Sequence, residues 1–231
     1  MQKYVVKNIA RPDIGYIEKF KEYDVSTVYE AQGKTGLLSS RITNRQEGRD
    51  IVGPVVTAVC YAGDNLMIHA AIEVCKPGDI LVVSIIGESE HGMIGELIVS
   101  ALIKRGVKGL IIDAGIRDIA QIKKLGFPIW SKAIYSQGTT KNTGGWVNSQ
   151  CVCGDITIDS GDLIMADDDG VVVVDKNYEK CLLNCKKRME KEKSVKEKIS
   201  DGKLSLDFYN LRGILKEAGV NYFENKDQIF K

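Results

Sequence analysis

In GMIGELIVSALIKRGVKGLIIDAGIRDIAQIKKLGFPIW, residues 92–130, two apolar periodicities alternate. Glu96 to Arg105 places Leu97, Ile98, Ala101 and Leu102 at helical spacing, whereas Val107 to Asp113 is a short apolar run with the length of a buried strand. The pattern repeats at once, with a short helix over Ile119 to Leu125 and a strand over Phe127 to Trp130. Strands separated by helices pair in parallel, because each crossover returns the chain to the same edge of the sheet. The segment therefore predicts an α/β protein with helices layered on a sheet.

Working outward, Pro77-Gly78-Asp79 turns into a strand over Ile80 to Ser84, and Ser160-Gly161-Asp162 turns into Leu163 to Ala166 in the same manner. Before them lie a β-branched run, Pro54 to Cys60, and a helix over Asp64 to Cys75 that Pro77 ends. Ile14 to Gly33 has helical spacing, with Asp24 and Ser26 able to cap a helix through Tyr29 and Ala31, and with Gly33 and Gly36 to stop it. Short strands are expected over Val147 to Ile158, Asp162 to Ala166 and Gly170 to Val174, then helix from about Asn177. No low-complexity linker interrupts the 231 residues, which predicts one domain, 1–231, with a core over about 24–176 and a helical tail over about 177–231.

Thirty-two basic against 31 acidic side chains give a net charge of +1, so no overall field draws the chain to nucleic acid or an anionic surface. Seven basic and three acidic residues lie between Lys186 and Lys198, but Leu182, Cys185 and Met189 on the other face suit a solvated amphipathic helix better than a nucleic-acid patch. The apolar runs fall far short of the roughly 20 residues that span a bilayer. Met1 to Arg11 lacks an apolar signal core, and the cytoplasm is the expected compartment. Six cysteines then read as thiols; Cys151 with Cys153 and Cys181 with Cys185 have metal-compatible spacings, yet small buried side chains are the simpler account.

Two neighbouring segments carry possible chemistry. In Gly92-Met93-Ile94-Gly95-Glu96-Leu97-Ile98 a helix begins directly after glycines, which leaves backbone N–H groups free for a carboxylate or phosphate. In Asp113-Ala114-Gly115-Ile116-Arg117-Asp118 the pair Arg117-Asp118 stands at the C-terminal end of a strand, where open parallel sheets bind ligands. Arg117 offers a planar fork for a carboxylate and Asp118 a hard oxygen for Mg2+ or Mn2+. Equally, the two form a surface pair capping the helix that starts at Ile119. The run Asp167-Asp168-Asp169-Gly170 lacks the interleaved ligands of a calcium loop and reads as a turn; His91 reads as a solvent-facing loop histidine.

Gly95-Glu96-Leu97, Arg105-Gly106 and Asp113-x-Gly115-x-Arg117-Asp118 together resemble the RraA-like proteins, named after a regulator of ribonuclease E activity. Gly53-Pro54, Gly63-Asp64-Asn65, Pro77-Gly78-Asp79, Phe127-Pro128 and Gly161-Asp162 through Val171 extend the likeness over most of the chain. The resemblance implies a swivelling β/β/α fold, homotrimers or hexamers, and in its enzymatic branch 4-hydroxy-4-methyl-2-oxoglutarate aldolases that also decarboxylate oxaloacetate. Their mark is an acidic residue, twenty intervening positions, then Arg-Asp, here Glu96 and Arg117-Asp118, with Glu where those aldolases have Asp.

Carried over, the resemblance gives Arg117 the substrate carboxylate, Asp118 the metal (Mg2+ or Mn2+), the backbone of Gly95, Glu96, Leu97 and Ile98 the pyruvyl end of a small 2-oxo acid, and Glu96 a water on the metal. Its alternative is a non-catalytic protein that binds and regulates a ribonuclease. A methyltransferase is a third reading, which no strand followed by a Gly-rich nucleotide loop supports.

Overall fold

The computed structural model describes residues 2–229. Strand β1 (Tyr4–Val5) and helices α1 (Ile14–Phe20) and α2 (Val25–Ala31) come first. They lead to β2 (Thr43–Asn44), β3 (Ile51–Tyr61), α3 (Leu66–Val74), β4 (Ile80–Ile86), β5 (Gly92–Ile94) and α4 (Glu96–Lys104). Next are β6 (Gly109–Ile116), α5 (Ile119–Leu125), β7 (Ile129–Ile134), β8 (Trp146–Val147), β9 (Cys151–Cys153) and β10 (Ile156–Ile158). The chain ends with β11 (Leu163–Asp167), β12 (Gly170–Val173), α6 (Tyr178–Ser200), α7 (Ser205–Phe208), α8 (Leu211–Glu217) and a 3-10 turn, Lys226–Gln228. It divides into two compact units, Met1–Cys185 and Lys186–Lys231.

In the first unit β3, β4, β6 and β7 lie side by side and parallel, as the strand–helix alternation predicts. Both faces of this sheet are covered, which is why its strands are continuous apolar runs and not alternating ones. Val56, Ala58, Leu81, Val83, Leu110 and Ile112 pack against α3, α4 and α5. Their sequence neighbours Val55, Val59, Ile80, Val82 and Ile111 point to the opposite face, toward Cys153, Ile158, Ile164 and Val171 of a second β layer. Beyond that layer, Phe20, Val28, Cys181 and Cys185 of α1, α2 and α6 cover Met165 and Val172.

β3 joins the layers. Its first residues pair antiparallel with β11, from Ile51 opposite Ala166 to Pro54 opposite Leu163; from Val55 it pairs in parallel with β4. At Gly53 a Cβ would collide with the Gly78 carbonyl, so the glycine lets the turn before β4 close on the strand. Asp79 of that turn is fully buried, accepts both Arg11 Nε and Nη2 at 2.7 and 2.8 Å, and takes the Lys76 amide at 2.7 Å.

Several boundaries move from the sequence-based expectation. The helical stretch of Ile14 to Gly33 is two helices, since Asp24 accepts the Thr27 amide at 2.6 Å and restarts the second. Val147 to Ile158 holds three short strands, because Gly154 and Asp155 take left-handed angles and fold β9 onto β10 as a hairpin. Strand β6 runs to Ile116, three residues beyond the expected end at Asp113. Asp167 to Gly170 closes the β11–β12 hairpin, where Asp167 accepts the Val25 and Asp169 amides and Asp168 takes the Asn44 side chain, so the acidic run is a turn.

The second unit comprises the rest of α6 with α7, α8 and the segment to Ile229. Phe208 and Tyr209 meet edge to face at 4.5 Å, Lys198 sits over the Phe208 ring, and Arg212 pairs with Asp207. Among the described residues no helix is long and apolar enough to cross a membrane.

Candidate active site

At the end of β6 the chain turns through Arg117 and Asp118. The Arg117 amide donates to Ile94 O at 2.8 Å, tying the turn to the end of β5. Asp118 then adopts φ 58° and ψ 33°, a left-handed conformation that costs a residue with a Cβ about 1–2 kcal/mol and that Asp tolerates better than most. The turn does not point the carboxylate at its own helix, for Asp118 makes no side-chain cap on α5. Its Oδ2 instead accepts the Glu96 amide of α4 at 3.2 Å and lies 3.9 Å from Arg117 Nε. Asp118 therefore does not cap α5 with its side chain; it pairs with Arg117, both about half exposed, and also contacts α4.

Two glycines make room for this contact. Gly95 has ordinary extended angles, yet a Cβ there would overlap Asp118 Oδ2 and crowd Arg117 Cγ and Nε, each at 3.3 Å. A Cβ on Gly92 would strike the Tyr135 carbonyl and Arg117 Cβ. The free amides are fewer than the glycine spacing suggests: Gly92 N bonds Gln137 O, Met93 N bonds His91 O, and Glu96 N is held by Asp118. Leu97 and Ile98 remain, in the first turn of α4, where no intrahelical carbonyl is within reach.

These groups border a cleft of about 220 Å³ whose lining includes Gly95, Leu97, Ile98, Arg117 and Asp118 from the predicted segments. Its other wall was not legible in the sequence: Asn65 and His69 from α3 and its cap, and Gly138, Thr139 and Lys141 from the loop after β7. Asp64 fastens that loop. Its carboxylate accepts Thr140 Oγ1, Asn142 N and Thr143 N at 2.7, 2.7 and 3.0 Å, and Leu66 N at 3.0 Å. Burial alone pushes the Asp64 pKa up, but the hydrogen bonds together outweigh it and hold the group down at about 2. Asn65 Nδ2 donates to Met93 O at 2.9 Å and joins α3 to β5. Burial, then the charge of Lys141, lowers the His69 pKa.

A family model described as RraA-like, Aldolase/RraA, matches residues 24–173. The chain belongs to the RraA-like family. It is 29% identical over 202 residues to a Halalkalibacterium halodurans protein named "Putative 4-hydroxy-4-methyl-2-oxoglutarate aldolase", covering 87% of this chain and 96% of that one. An uncharacterised Pseudomonas syringae protein shares the fold with a TM-score of 0.73 at 24% identity, over 85% of this chain and 97% of its own. Streptomyces coelicolor RraAS2, described as an unusual member of the RNase ES inhibitor RraA protein family, superposes with a TM-score of 0.69 at 25% identity, over 82% and 98%.

The family's motif residues divide between two faces of the sheet in this RraA-like chain. Arg117 and Asp118 reach the cleft, whereas Asp113 points to the other face, where it accepts Arg41 Nε and Nη2 at 3.1 and 2.8 Å and Gly154 N at 3.0 Å. Burial raises the Asp113 pKa, but Arg41 and the Gly154 amide bring it below the usual carboxylate range. Asp113 is therefore a clamp between the layers. Glu96 contributes its amide, while its exposed side chain is not among the cleft lining. His91 is half-buried, with Nδ1 3.0 Å from Ser89 Oγ, and not simply a solvent-facing loop residue. All six cysteines are buried free thiols.

No group of three or more His, Cys, Asp or Glu side chains that could hold a metal occurs among the described residues, so a closed cage for a soft or tetrahedral ion is not built there. Mg2+ and Mn2+ ask for less. A hydrated hard cation binds through one or two carboxylates and completes its sphere with water and substrate oxygens. Asp118 beside the cleft, its carboxylate held by the Glu96 amide at the start of α4, offers one such carboxylate.

Proposed function

We propose that the protein is a divalent-metal-dependent carbon–carbon lyase that cleaves 4-hydroxy-4-methyl-2-oxoglutarate-like 2-oxo acids to pyruvate through an enolate. Oxaloacetate decarboxylation, which yields the same enolate, is its side activity. The observation that carries the reading is the meeting of Arg117, Asp118 and the first turn of α4 in one cleft at the C-terminal end of β6. The aldolase name of the Halalkalibacterium relative supports it.

Arg117 grips the substrate carboxylate through charge-assisted hydrogen bonds, and the Leu97 and Ile98 amides donate to the oxygens of the pyruvyl end. Asp118 would hold the cation, Mg2+ or Mn2+, with waters completing its sphere. When bound, it supplies Lewis acidity toward the 2-oxo and carboxylate oxygens and lowers the energy of the enolate left by C3–C4 cleavage. Glu96 takes the proton of the C4 hydroxyl through a water, since its side chain stands outside the cleft wall. The same relay returns a proton to C3 of the enolate, giving pyruvate. No lysine Schiff base is part of this scheme.

We place the protein in the cytoplasm as a homotrimer or a dimer of trimers. A non-catalytic regulator of a ribonuclease is the second reading, favoured by the description of the Streptomyces relative. Pyruvate release from 4-hydroxy-4-methyl-2-oxoglutarate and from oxaloacetate, with and without Mg2+ or Mn2+, separates them. Metal-stimulated release from both is expected, and no release from either would remove the lyase.

A further inference from the structure

Two of the six buried thiols touch each other. Cys181 and Cys185 stand one helical turn apart on one face of α6, 3% and 0% exposed, in the apolar cluster of Phe20, Val28 and Val172. The Cys185 thiol donates to Cys181, and Cys181 donates to Gln32 Oε1 at 3.8 Å. Gln32 is itself fixed, because its Nε2 donates to Thr35 O and Val173 O at 2.7 and 2.9 Å and its Oε1 takes the Asp175 amide at 3.0 Å. A cavity of about 430 Å³ opens at this point, with Cys181, Gln32, Lys180 and Asn184 in its wall. Both cysteines lie beyond residue 173, where the match to the family model ends.

Spacing decides between a disulfide and an ion. Side chains one turn apart on a helix hold their Cβ atoms about 5–6 Å from each other, wider than the roughly 3.5–4.5 Å of a disulfide. The start of α6 resists the unwinding that would close the gap: Asn177 Oδ1 accepts the Lys180 amide at 3.2 Å, Asp175 Oδ1 accepts the Asn177 amide at 2.7 Å, and the Cys181 amide donates to Asn177 O at 3.0 Å. Two metal–sulfur bonds of about 2.3 Å in line span roughly 4.6 Å, which that Cβ separation accepts. Zinc asks for four ligands, and no group of three metal-binding side chains occurs among the described residues, whereas soft copper(I) is held by two thiolates. Charge favours a thiolate at Cys181, which ends the first turn of a 23-residue helix whose N-terminus carries about half a positive charge. Donation from Cys185 draws the Cys181 pKa below that of an ordinary thiol, against burial and the charge of Asp175, while burial pushes Cys60, Cys75 and Cys151 up to about 12.

We propose that Cys181 and Cys185 form a two-coordinate seat for copper(I), reached through the cavity beside Gln32. On binding, two S–H bonds break, two Cu–S bonds form, two protons leave to solvent and the copper stays monovalent. The inference does not depend on the lyase reading, and the hard cation of the cleft does not compete for thiolates. The test is anaerobic titration of the reduced full-length chain with Cu+ held by a bicinchoninate competitor, in excess Mg2+. Wild type, Cys181→Ser, Cys185→Ala and the control Cys151→Ala/Cys153→Ala are compared, with metal-free melting checked for each. Wild type and control should draw one ion per chain from the competitor, develop a sulfur-to-copper charge-transfer band in the near ultraviolet and release protons as they do so. Cys181→Ser and Cys185→Ala should lose the band and bind more weakly by more than the roughly 10-fold to 100-fold that loss of a mere outer-shell partner costs; one folded variant of the two suffices. No uptake by the wild type, variants that bind as the wild type does, or uptake lost in the control instead would each overturn the proposal. So would a Cys181–Cys185 disulfide formed by mild oxidation with the helical circular dichroism unchanged.

Discussion

Gly95→Ala tests the site at its tightest point. The backbone at residue 95 is ordinary extended chain, so alanine fits it without strain. The new methyl would occupy the space of Asp118 Oδ2 and press on Arg117 at 3.3 Å. To restore ordinary van der Waals contact the carboxylate must withdraw by roughly 1 Å, a displacement that costs on the order of 100-fold when it moves a catalytic group. Withdrawal also breaks the 3.2 Å bond from the Glu96 amide, a charge-assisted contact worth about 1.5–3 kcal/mol, part of which water returns at this half-exposed position. The expected result is a melting temperature within a few degrees of wild type and a fall of about 100-fold in kcat/KM for oxaloacetate at saturating Mg2+. Wild-type kcat/KM in a folded Gly95→Ala protein would show that the Asp118 contact has no part in turnover.

Arg117→Ala should lower kcat/KM by about 10-fold to 150-fold per lost bond, and Arg117→Lys should remain strongly impaired because it keeps the charge but not the planar grip. Wild-type kinetics in either folded variant would take Arg117 out of the site. EDTA should abolish pyruvate release and Mg2+ or Mn2+ restore it, while Asp118→Asn, which keeps an acceptor and tolerates left-handed angles, should melt like wild type yet lose the metal response; full activity after thorough chelation refutes this. Asp64 has a folded pKa of about 2, below its ordinary 3.8, so its contribution to stability is complete above about pH 4 and vanishes as pH falls through 2. Asp64→Asn should cost about 2 kcal/mol at pH 7 and flatten the acid limb of stability between pH 4 and 2, as urea unfolding would measure; an unchanged limb contradicts the clamp.

What the sequence disclosed was local. Helix α4 and the strand–helix order from 92 to 130 follow from neighbours three or four residues apart, and Arg117-Asp118 stood out as a candidate site because a strand visibly ends near it. The opposite wall of the cleft was hidden, since Asn65 and His69 meet Gly138 and Lys141 only after the sheet has formed. The role of Asp113 was hidden for the same reason: nothing near it in sequence identifies Arg41, 72 positions away, as its partner. The left-handed angles of Asp118 were equally invisible. The contact of its carboxylate with the Glu96 amide, 22 positions away, was equally so.

Because one strand, β3, serves both sheets, the body cannot be assembled in halves. Pro54 finds Leu163, and Tyr4 finds Trp146, only after more than a hundred intervening residues have been organised. Contacts of such separation are entropically expensive to close and slow to nucleate. During synthesis β3 must therefore wait, with its first residues unpaired, until β11 emerges near residue 163. Its apolar run would be an aggregation hazard for that interval, which makes refolding yield at rising protein concentration the property most sensitive to polar substitutions at the Ile51–Pro54 end.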